Sequence, residues 1–385
     1  MTRHDVLIVG AGPVGLALAL ALRDSGLDVA IADVRPADAI ADDPRILALA
    51  YGTRLTLERL GVWSALPATP IRSIHVSQQG GFGRTIIQAH DHDLPALGYV
   101  VSAGALGAAL RRSVESTPAI HFLDATEVTT RQAADQQVRV GLRNTRDNTT
   151  HSFEAHLVAC AEGGLQGGSN DVAERDYGQH ALIATVTLAH DHHQRAFERF
   201  TTTGPLALLP HGDQYALVHG VAADQADALL ALDDDAYIAH LHARLGPRIR
   251  ISALGARARY PLALRYRRTP VGPRTAWLGN AAQTLHPVAG QGFNLALRDV
   301  STLATLIAEH PGDPGDPALL ARYARGRKLD RYATMGFTDT LIRVFGSDVP
   351  LLRHLRGAGL LALDTVPPLR QFIARRMMFG ARAWP

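Results

Sequence analysis

Residues 6–33, VLIVGAGPVGLALALALRDSGLDVAIAD, decide the fold. Val6-Leu7-Ile8-Val9 is an apolar run without alternation, as a strand buried on both faces requires. Gly10-Ala11-Gly12-Pro13-Val14-Gly15 follows at once, and residues 16–23, LALALALR, favour a helix that Gly26 ends. A second apolar strand, Val29-Ala30-Ile31-Ala32, closes on Asp33. This βαβ order predicts a Rossmann-like unit that binds a dinucleotide. Gly10 permits the tight turn, Gly12 lets backbone amides approach a pyrophosphate, and Gly15 allows close packing of helix on strand. The N-terminus of the helix that follows favours anionic phosphates. Asp33 is placed for the adenosine ribose hydroxyls. On this motif alone, nicotinamide and flavin dinucleotides are not separated.

A second glycine-rich stretch, residues 278–300, LGNAAQTLHPVAGQGFNLALRDV, separates them. Trp277-Leu278 ends an apolar strand and Gly279-Asn280 turns the chain. Gly290-Gln291-Gly292 then precedes a helix opened by Phe293-Asn294-Leu295-Ala296-Leu297. Amides at such a helix start stabilise negative charge on the N1/C2-oxygen edge of a reduced isoalloxazine. Nicotinamide dehydrogenases need no such element. Two glycine-rich segments far apart in sequence suit a long ligand gripped at both ends, and FAD is such a ligand.

With these residues in view, the chain resembles the FAD-dependent aromatic hydroxylases of the para-hydroxybenzoate hydroxylase class. Within that class it is similar to the ubiquinone-biosynthesis hydroxylases. The resemblance extends over almost the whole chain and rests on five further blocks: DPRILALAYGTRLTLERLGVW (43–63), GGFGRTIIQAHDHDLPALGYVV (80–101), RDYGQHALIATV (175–186), ERFTTTGPLALLP (198–210) and FTDTLIRVFGSD (337–348). The LPALGYVV and FTDTLIRVF segments look most like the branch that oxidises ring C1 of 2-polyprenyl-6-methoxyphenol. Sister hydroxylases acting at other ring carbons remain alternatives, because their FAD segments look alike.

The resemblance implies an α/β fold with an FAD-binding domain at 1–72, 100–174 and 265–310. A β-sheet substrate domain is implied at 73–99 and 175–264, and a C-terminal helical region at 311–385. It places Gly10, Gly12, Pro13, Val14, Gly15 and Asp33 on the ADP half of FAD. Arg45 falls in the family's first-helix segment, where an arginine reaches the cofactor. Gly279 and Asn280 meet the ribitol chain, Asn280 standing where the wider class carries aspartate. His286 and Pro287, with Gly290, Gln291, Gly292, Phe293 and Asn294, border the flavin ring, Pro287 facing the side where oxygen reacts; Pro287, Gly290, Gln291 and Gly292 are the expected catalytic set. The reaction implied is hydroxylation through a flavin hydroperoxide, with molecular oxygen as co-substrate and NAD(P)H as electron donor. No catalytic base is identified.

One segment departs from the family. Its middle motif carries aspartate-glycine after an apolar strand, then a serine and an arginine. Here Val158-Ala159-Cys160-Ala161-Glu162-Gly163-Gly164 leads into Leu165-Gln166-Gly167-Gly168-Ser169-Asn170. Glu162 keeps the charge with an added methylene, Glu162-Gly163 still falls on the FAD side, and no arginine follows. Weaker FAD binding and altered NAD(P)H use are expected, and a flavin-poor scaffold in a biosynthetic complex is the non-enzymatic alternative. A flavin halogenase is disfavoured because Trp63, Trp277 and Trp384 form no pair around an Ile-Pro.

Composition agrees with this reading. At 385 residues and 46% hydrophobic content the chain is long enough for interleaved domains with substantial cores. The single cysteine, Cys160, excludes an intramolecular disulfide and fits a reducing cytoplasm. Glycines and Pro13 interrupt the early apolar run, so neither a signal peptide nor a membrane span is expected. Net charge is only +3, with Lys328 the sole lysine, and no basic patch or module for nucleic acid is evident. Residues 311–317, PGDPGDP, read as a loop before the final helices.

Residues 341–385 alternate apolar clusters with arginines, including Arg343, Arg353, Arg356, Arg370, Arg375, Arg376 and Arg382, against Asp348 and Asp364. A basic amphipathic helix of this kind suits peripheral contact with the inner membrane, or a helical lid over the FAD domain. Strand character at Ala181–Leu188, Leu206–Leu209, Tyr215–Val221 and Ala256–Leu264 predicts a sheet over the isoalloxazine, apolar enough for a polyprenylated phenol. His90-Asp91-His92 and His190-Asp191-His192-His193 lie in polar sequence without a convergent ligand set and are expected to be solvated loops, not a metal site.

Overall fold

The computed structural model describes residues 2–36, 43–165, 171–346 and 349–380. Positions 166–170, 347–348, Arg382 and Trp384, which entered the sequence reading, lie outside them. The chain runs through β1 (Thr2–Val9), α1 (Pro13–Leu22), β2 (Val29–Ala32), β3 (Ile46–Ala50), α2 (Tyr51–Arg59), β4 (Thr69–Ile71), β5 (Ser73–Gln78), β6 (Arg84–Gln88), β7 (Gly98–Ser102), α3 (Ala103–Glu115), β8 (Ile120–Leu123), β9 (Thr126–Ala133), β10 (Val138–Asn144) and β11 (Thr150–Cys160). It continues through β12 (Val172–Leu188), β13 (Arg195–Phe200), β14 (Pro205–His211), β15 (Gln214–Ala222), α4 (Ala226–Leu230), α5 (Asp234–Leu245), β16 (Ile251–Leu254), β17 (Ala258–Arg267), β18 (Val271–Gly272), β19 (Thr275–Trp277) and β20 (Gln283–Thr284). Four helices close it: α6 (Gln291–Glu309), α7 (Pro317–Phe345), α8 (Pro350–Thr365) and α9 (Pro367–Phe379).

Two large sheets organise these elements. In the first, β1 pairs in parallel with both β2 and β11, and the order β19-β11-β1-β2-β8 is that of a Rossmann-like unit. Val6, Leu7 and Ile8 are fully buried, because α1 and α6 cover one face and the β9–β10 arm the other. The uninterrupted apolar run is explained by that double cover.

The second sheet has the order β20-β17-β12-β15-β14-β13-β5-β6. Its pairs are antiparallel except β13 with β5. One face packs Leu182, Leu206, Leu208 and Leu217 against Tyr237, Leu241 and Leu245 of α5. The other face looks into a large cavity. Period-two alternation along each strand therefore sorts side chains between a helix-covered core and a site.

Several boundaries differ from the sequence reading. The first helix begins at Pro13, where a residue without an N–H costs nothing at a helix start. The strand expected at Ala256–Leu264 is β17, Ala258–Arg267. Arg45 precedes β3 and belongs to no helix; the first helix after it starts at Tyr51. The C-terminal stretch is not one amphipathic helix but the end of α7 followed by α8 and α9. Pro350 and Pro367 each occupy a first-turn position and start a new helix. Asp316 caps α7 through Ala318 N–H and Leu319 N–H, so the preceding proline-glycine stretch is indeed a loop. Among the described residues, no helix is long and apolar enough to cross a membrane.

Candidate active site

The β1–α1 turn forms one end of the site. Gly10 has φ +103°, and a Cβ there would meet the Glu162 backbone at 2.7 Å. Gly15 lies so close to β1 that a Cβ would fall 1.9 Å from the Gly10 carbonyl oxygen. Gly12 differs: an added Cβ meets nothing within 4 Å, and the residue lines the cavity beside Pro13 and Val14. The first and third glycines thus serve the chain's own packing, and the second leaves room for a ligand.

Asp33 is buried at the end of β2 and lines the same cavity. Its carboxylate accepts from Ala11 N–H at 2.6 Å and Arg35 N–H at 2.8 Å, and pairs with the Arg35 guanidinium at 3.1 Å. Burial alone would raise its pKa, but the Arg35 and Ala11 bonds outweigh that and hold it below the ordinary carboxylate value. Arg35 was not singled out in sequence and shares the carboxylate on which a ribose would call. Arg45 also lines the cavity, though its guanidinium forks onto Asp43.

Glu162 and Gly163 line the cavity at the end of β11. The arginine missing from that segment has a counterpart: Arg131, from β9, comes within 3.6 Å of Glu162. The same Arg131 donates to the Cys160 Sγ at 2.6 Å. Cys160 is core, and burial pushes its thiol up to about 12.

The second glycine-rich segment forms the floor. Asn280, Pro287, Gly290, Gly292 and Phe293 line the cavity, and Gly279 does not; it packs under Val14 and Ala296 with φ +56°. Ala289 and Gly290 both take left-handed backbone, with φ of +61° and +59°, immediately before α6. Asn294 faces the protein rather than the cavity. Its amide accepts from Ala50 N–H and Thr53 Oγ1 and donates to the Ala48 and Gly290 carbonyls, tying α6 to β3. Gln291 is likewise buried and donates to the Ala289 carbonyl. Both residues are placed to shape the floor, where the sequence reading set them against the ring.

Beneath the floor lies an ion network that the sequence reading missed. Asp299 accepts from Gly279 N–H, Gln283 Nε2 and Arg327 Nε, and Arg327 also pairs with Asp330. Burial would lower the Arg327 pKa, but Asp299 and Asp330 raise it further and hold the guanidinium charged. His286 is 1% exposed and accepts from Val288 N–H, and burial pushes it down to about 4.

The cavity has a volume of about 1960 Å³ and runs without a break from Gly12 and Asp33 past Asn280 and Pro287 to the open face of the second sheet. Across that face one row stands in register: Thr85, Val76, Glu198, Ala207, Val218, Ile183 and Ala258. All seven line the cavity, and all but Glu198 and Thr85 are aliphatic. Leu355, Leu363 and Leu369 of α8 and α9 complete the wall.

The histidine runs do not converge on the site. His92 sits in a short helical turn, half-buried, and Asp91 faces Arg370 of α9 at 3.6 Å, so this segment is packed rather than a solvated loop. His192 Nε2 meets the Gly212 carbonyl. Among the described residues, one set does have ligand spacing, His4, Asp28 and His121, but it lies at the opposite ends of β1 and β8 from the cavity. There His4 contacts Asp28 at 2.9 Å and stacks on Phe153.

A parallel sheet with a glycine-rich first turn, joined through one cavity to a second sheet, defines a flavin-dependent monooxygenase fold. Comparison with known proteins agrees. The chain is similar to p-nitrophenol 4-monooxygenase PnpA from Pseudomonas putida, with a TM-score of 0.78, 16% identity, and 99% and 100% of the two chains covered. It is 32% identical to ubiquinone hydroxylase UbiL of Rhodospirillum rubrum, covering 99% of this chain and 91% of that one. It is 30% identical to the 3-demethoxyubiquinol 3-hydroxylase of Escherichia coli, covering 95% and 96%. Residues 3–337 match the FAD binding domain family. The chain belongs to that family, in its ubiquinone-hydroxylase branch, and is an FAD-dependent monooxygenase that uses oxygen.

Proposed function

We propose that this chain hydroxylates the ring of a polyprenylated phenol in ubiquinone biosynthesis, with NAD(P)H as electron donor, and that its substrate is 2-polyprenyl-6-methoxyphenol, oxidised at ring C1. The observation that carries the reading is the single cavity joining the dinucleotide turn to an apolar sheet face and to the apolar helices α8 and α9. An aromatic headgroup with a long hydrocarbon tail suits such a space, because burying each CH₂ contributes roughly 0.8 kcal/mol. A second reading, oxidation at another ring carbon, is favoured by the name of the Escherichia coli relative.

The residues present fit FAD. Gly12 leaves an open approach at the start of α1, suited to a pyrophosphate, and Asp33 is anionic beside it. Asn280 would meet the ribitol chain, and Pro287, Gly290 and Gly292 would border the ring. When bound, FAD supplies the two-electron reduction of oxygen from which one atom reaches the substrate. The chain's own part is to bind, orient and exclude water. The sheet face and α8 cover the reacting region with aliphatic groups, which keeps water from the reduced oxygen. His286, neutral at physiological pH, fixes the Pro287-Val288 turn through Val288 N–H.

On this reading α8 and α9 also rest on the bilayer that holds the substrate, and contact with other ubiquinone-pathway proteins would occur there. Deleting the gene in its host and identifying the accumulated quinone precursor by mass spectrometry tests the proposal. Accumulation of 2-polyprenyl-6-methoxyphenol is expected. A different ring-level precursor would move the assignment to the second reading, and unchanged ubiquinone with no precursor would remove it.

A further inference from the structure

Among the described residues, the cavity face of the second sheet carries one carboxyl group, and nothing described so far uses it. Glu198 lies at the middle of β13, in register with Val76 on β5 and Ala207 on β14. Ala196 and Phe200 share its face, and the adjoining row on that face is Ile74, Leu209 and Ala216. An ionisable side chain in the apolar phase of strand alternation carries a desolvation cost that packing does not repay. Its Oε1 is buried with no hydrogen-bond partner. The side chain lines the cavity.

Charged groups on the surrounding elements are turned elsewhere. Arg199 bonds the Arg244 carbonyl and Ser77 Oγ, and Arg195 bonds Ser73 Oγ. His75 is paired with Phe197, on the opposite alternation phase from Glu198, while Arg84 is exposed at the end of β6 and His211 closes β14. Arg356 of α8 donates to the Val344 and Phe345 carbonyls, and Arg257 beside β17 to the Leu232 carbonyl. Tyr260 on β17 and His286 across the cavity are the other titratable groups that line it nearby. Burial therefore acts alone on Glu198 and pushes its carboxyl up to about 7.

We propose that Glu198 is the catalytic base of the hydroxylation: its carboxylate accepts the hydrogen of the substrate's phenolic hydroxyl and takes that proton as the ring is oxidised. This rests on the phenol reading above. The phenolic O–H bond breaks, a carboxylic O–H bond forms on Glu198, and the electron pair left on the phenol oxygen is delocalised onto the ortho and para ring carbons. One of these takes up a hydroxyl group whose oxygen derives from O₂, and the hydrogen displaced from that ring carbon returns to the phenol oxygen. The proton on Glu198 passes to the second oxygen atom, which leaves as water with one further hydrogen from the NAD(P)H-driven reduction, and the carboxylate is restored; the other hydrogen of that reduction is the one in the new hydroxyl. Placing that carboxyl at the centre of an apolar roof gives the phenol one orientation, hydroxyl toward β13 and tail toward α8 and α9.

The test compares wild-type holoenzyme with Glu198→Gln and Glu198→Asp, using a phenol that carries one methoxy and one short prenyl group. Wild-type kcat/KM should rise with pH through about 7, where the carboxylate forms. Glu198→Gln should lower it by roughly a hundredfold, with that rise abolished, as loss of a general base does. Glu198→Asp should keep the rise at an intermediate rate. Equal flavin content in all three shows that the fold is kept. A readout independent of turnover is stability: between about pH 4.5 and 7 the native state binds a proton that the unfolded chain has released, so wild-type stability falls with rising pH relative to Glu198→Gln. An unchanged rate and pH profile in Glu198→Gln would overturn this role alone. A wild-type protein that holds FAD but hydroxylates no phenol would overturn the substrate reading, and this role with it.

Discussion

At the scale of single residues, the three glycines of the first turn make different demands. Gly12 has open space where a side chain would go, so Gly12→Val should yield a folded protein with a melting temperature near wild type that has lost the visible absorbance of bound flavin. Gly15→Ala drives a methyl into the Gly10 carbonyl oxygen and should cost about 2 kcal/mol or more in unfolding free energy. Equal destabilisation of both variants, measured by thermal unfolding of the apoprotein, would contradict this division. Titration gives a second prediction. Burial pushes His219 down to about 3 and His286 to about 4, against an ordinary value of 6.5. As pH falls below about 6.5 the unfolded chain takes up protons that these two native imidazoles refuse, so stability drops, by about 3 kcal/mol for each at pH 4. His219→Gln can keep a hydrogen bond to the Tyr237 hydroxyl and should flatten the acid limb of a denaturation series between pH 6.5 and 4. An acid limb as steep as wild type would count against the assignment.

At the scale of elements, the floor is held from below. The Gly279 turn hangs from the Asp299 carboxylate, which is fixed by Arg327 and Gln283. Replacing Asp299 with Ala leaves Arg327 with a single buried partner carboxylate, Asp330, and should cost about 3–5 kcal/mol. Because Asn280 follows Gly279, the flavin dissociation constant should rise as well; apoprotein unfolding and flavin titration measure the two effects, and loss of stability without loss of flavin affinity would separate the network from the site.

How legible such parts were in sequence depends on whether they are local. The β1–α1–β2 unit was readable because strand, turn and helix are contiguous and each glycine's role is set within six residues. The Asp299 network was not, since its members come from α6, α7 and the β20 region, and in sequence Arg327 and Asp330 resemble a solvated helix face. Arg131 could not be matched to Glu162 without the β9–β10 arm, and Asn294 was set against the ring because its partners at Ala48 and Ala50 are far away in sequence. Glu198 did leave a signal: in RAFERF it occupies the apolar phase between Ala196 and Phe200, and that break in alternation was there to be read.

At the scale of the whole molecule, the question is how a long-tailed substrate reaches the cavity. Leu355 and Leu369 each line the cavity and are at the same time 56% and 40% exposed, so the wall formed by α8 and α9 is also the outer surface of the protein. Leu351, Leu361 and Val366 extend that apolar surface, with His354 and Arg375 exposed beside it. Apolar side chains beside an exposed arginine suit the headgroup region of an anionic bilayer. The protein should therefore sediment with vesicles containing an anionic phospholipid and be released in part by raised salt. Leu351→Glu combined with Leu361→Glu should abolish sedimentation. Neither residue lines the cavity, so the double variant should hydroxylate a short-chain, water-soluble phenol at the wild-type rate while losing activity on a long-chain phenol presented in vesicles. Equal activity on both substrates would mean that the tail enters from another side, and equal loss on both would mean that the two helices shape the cavity itself.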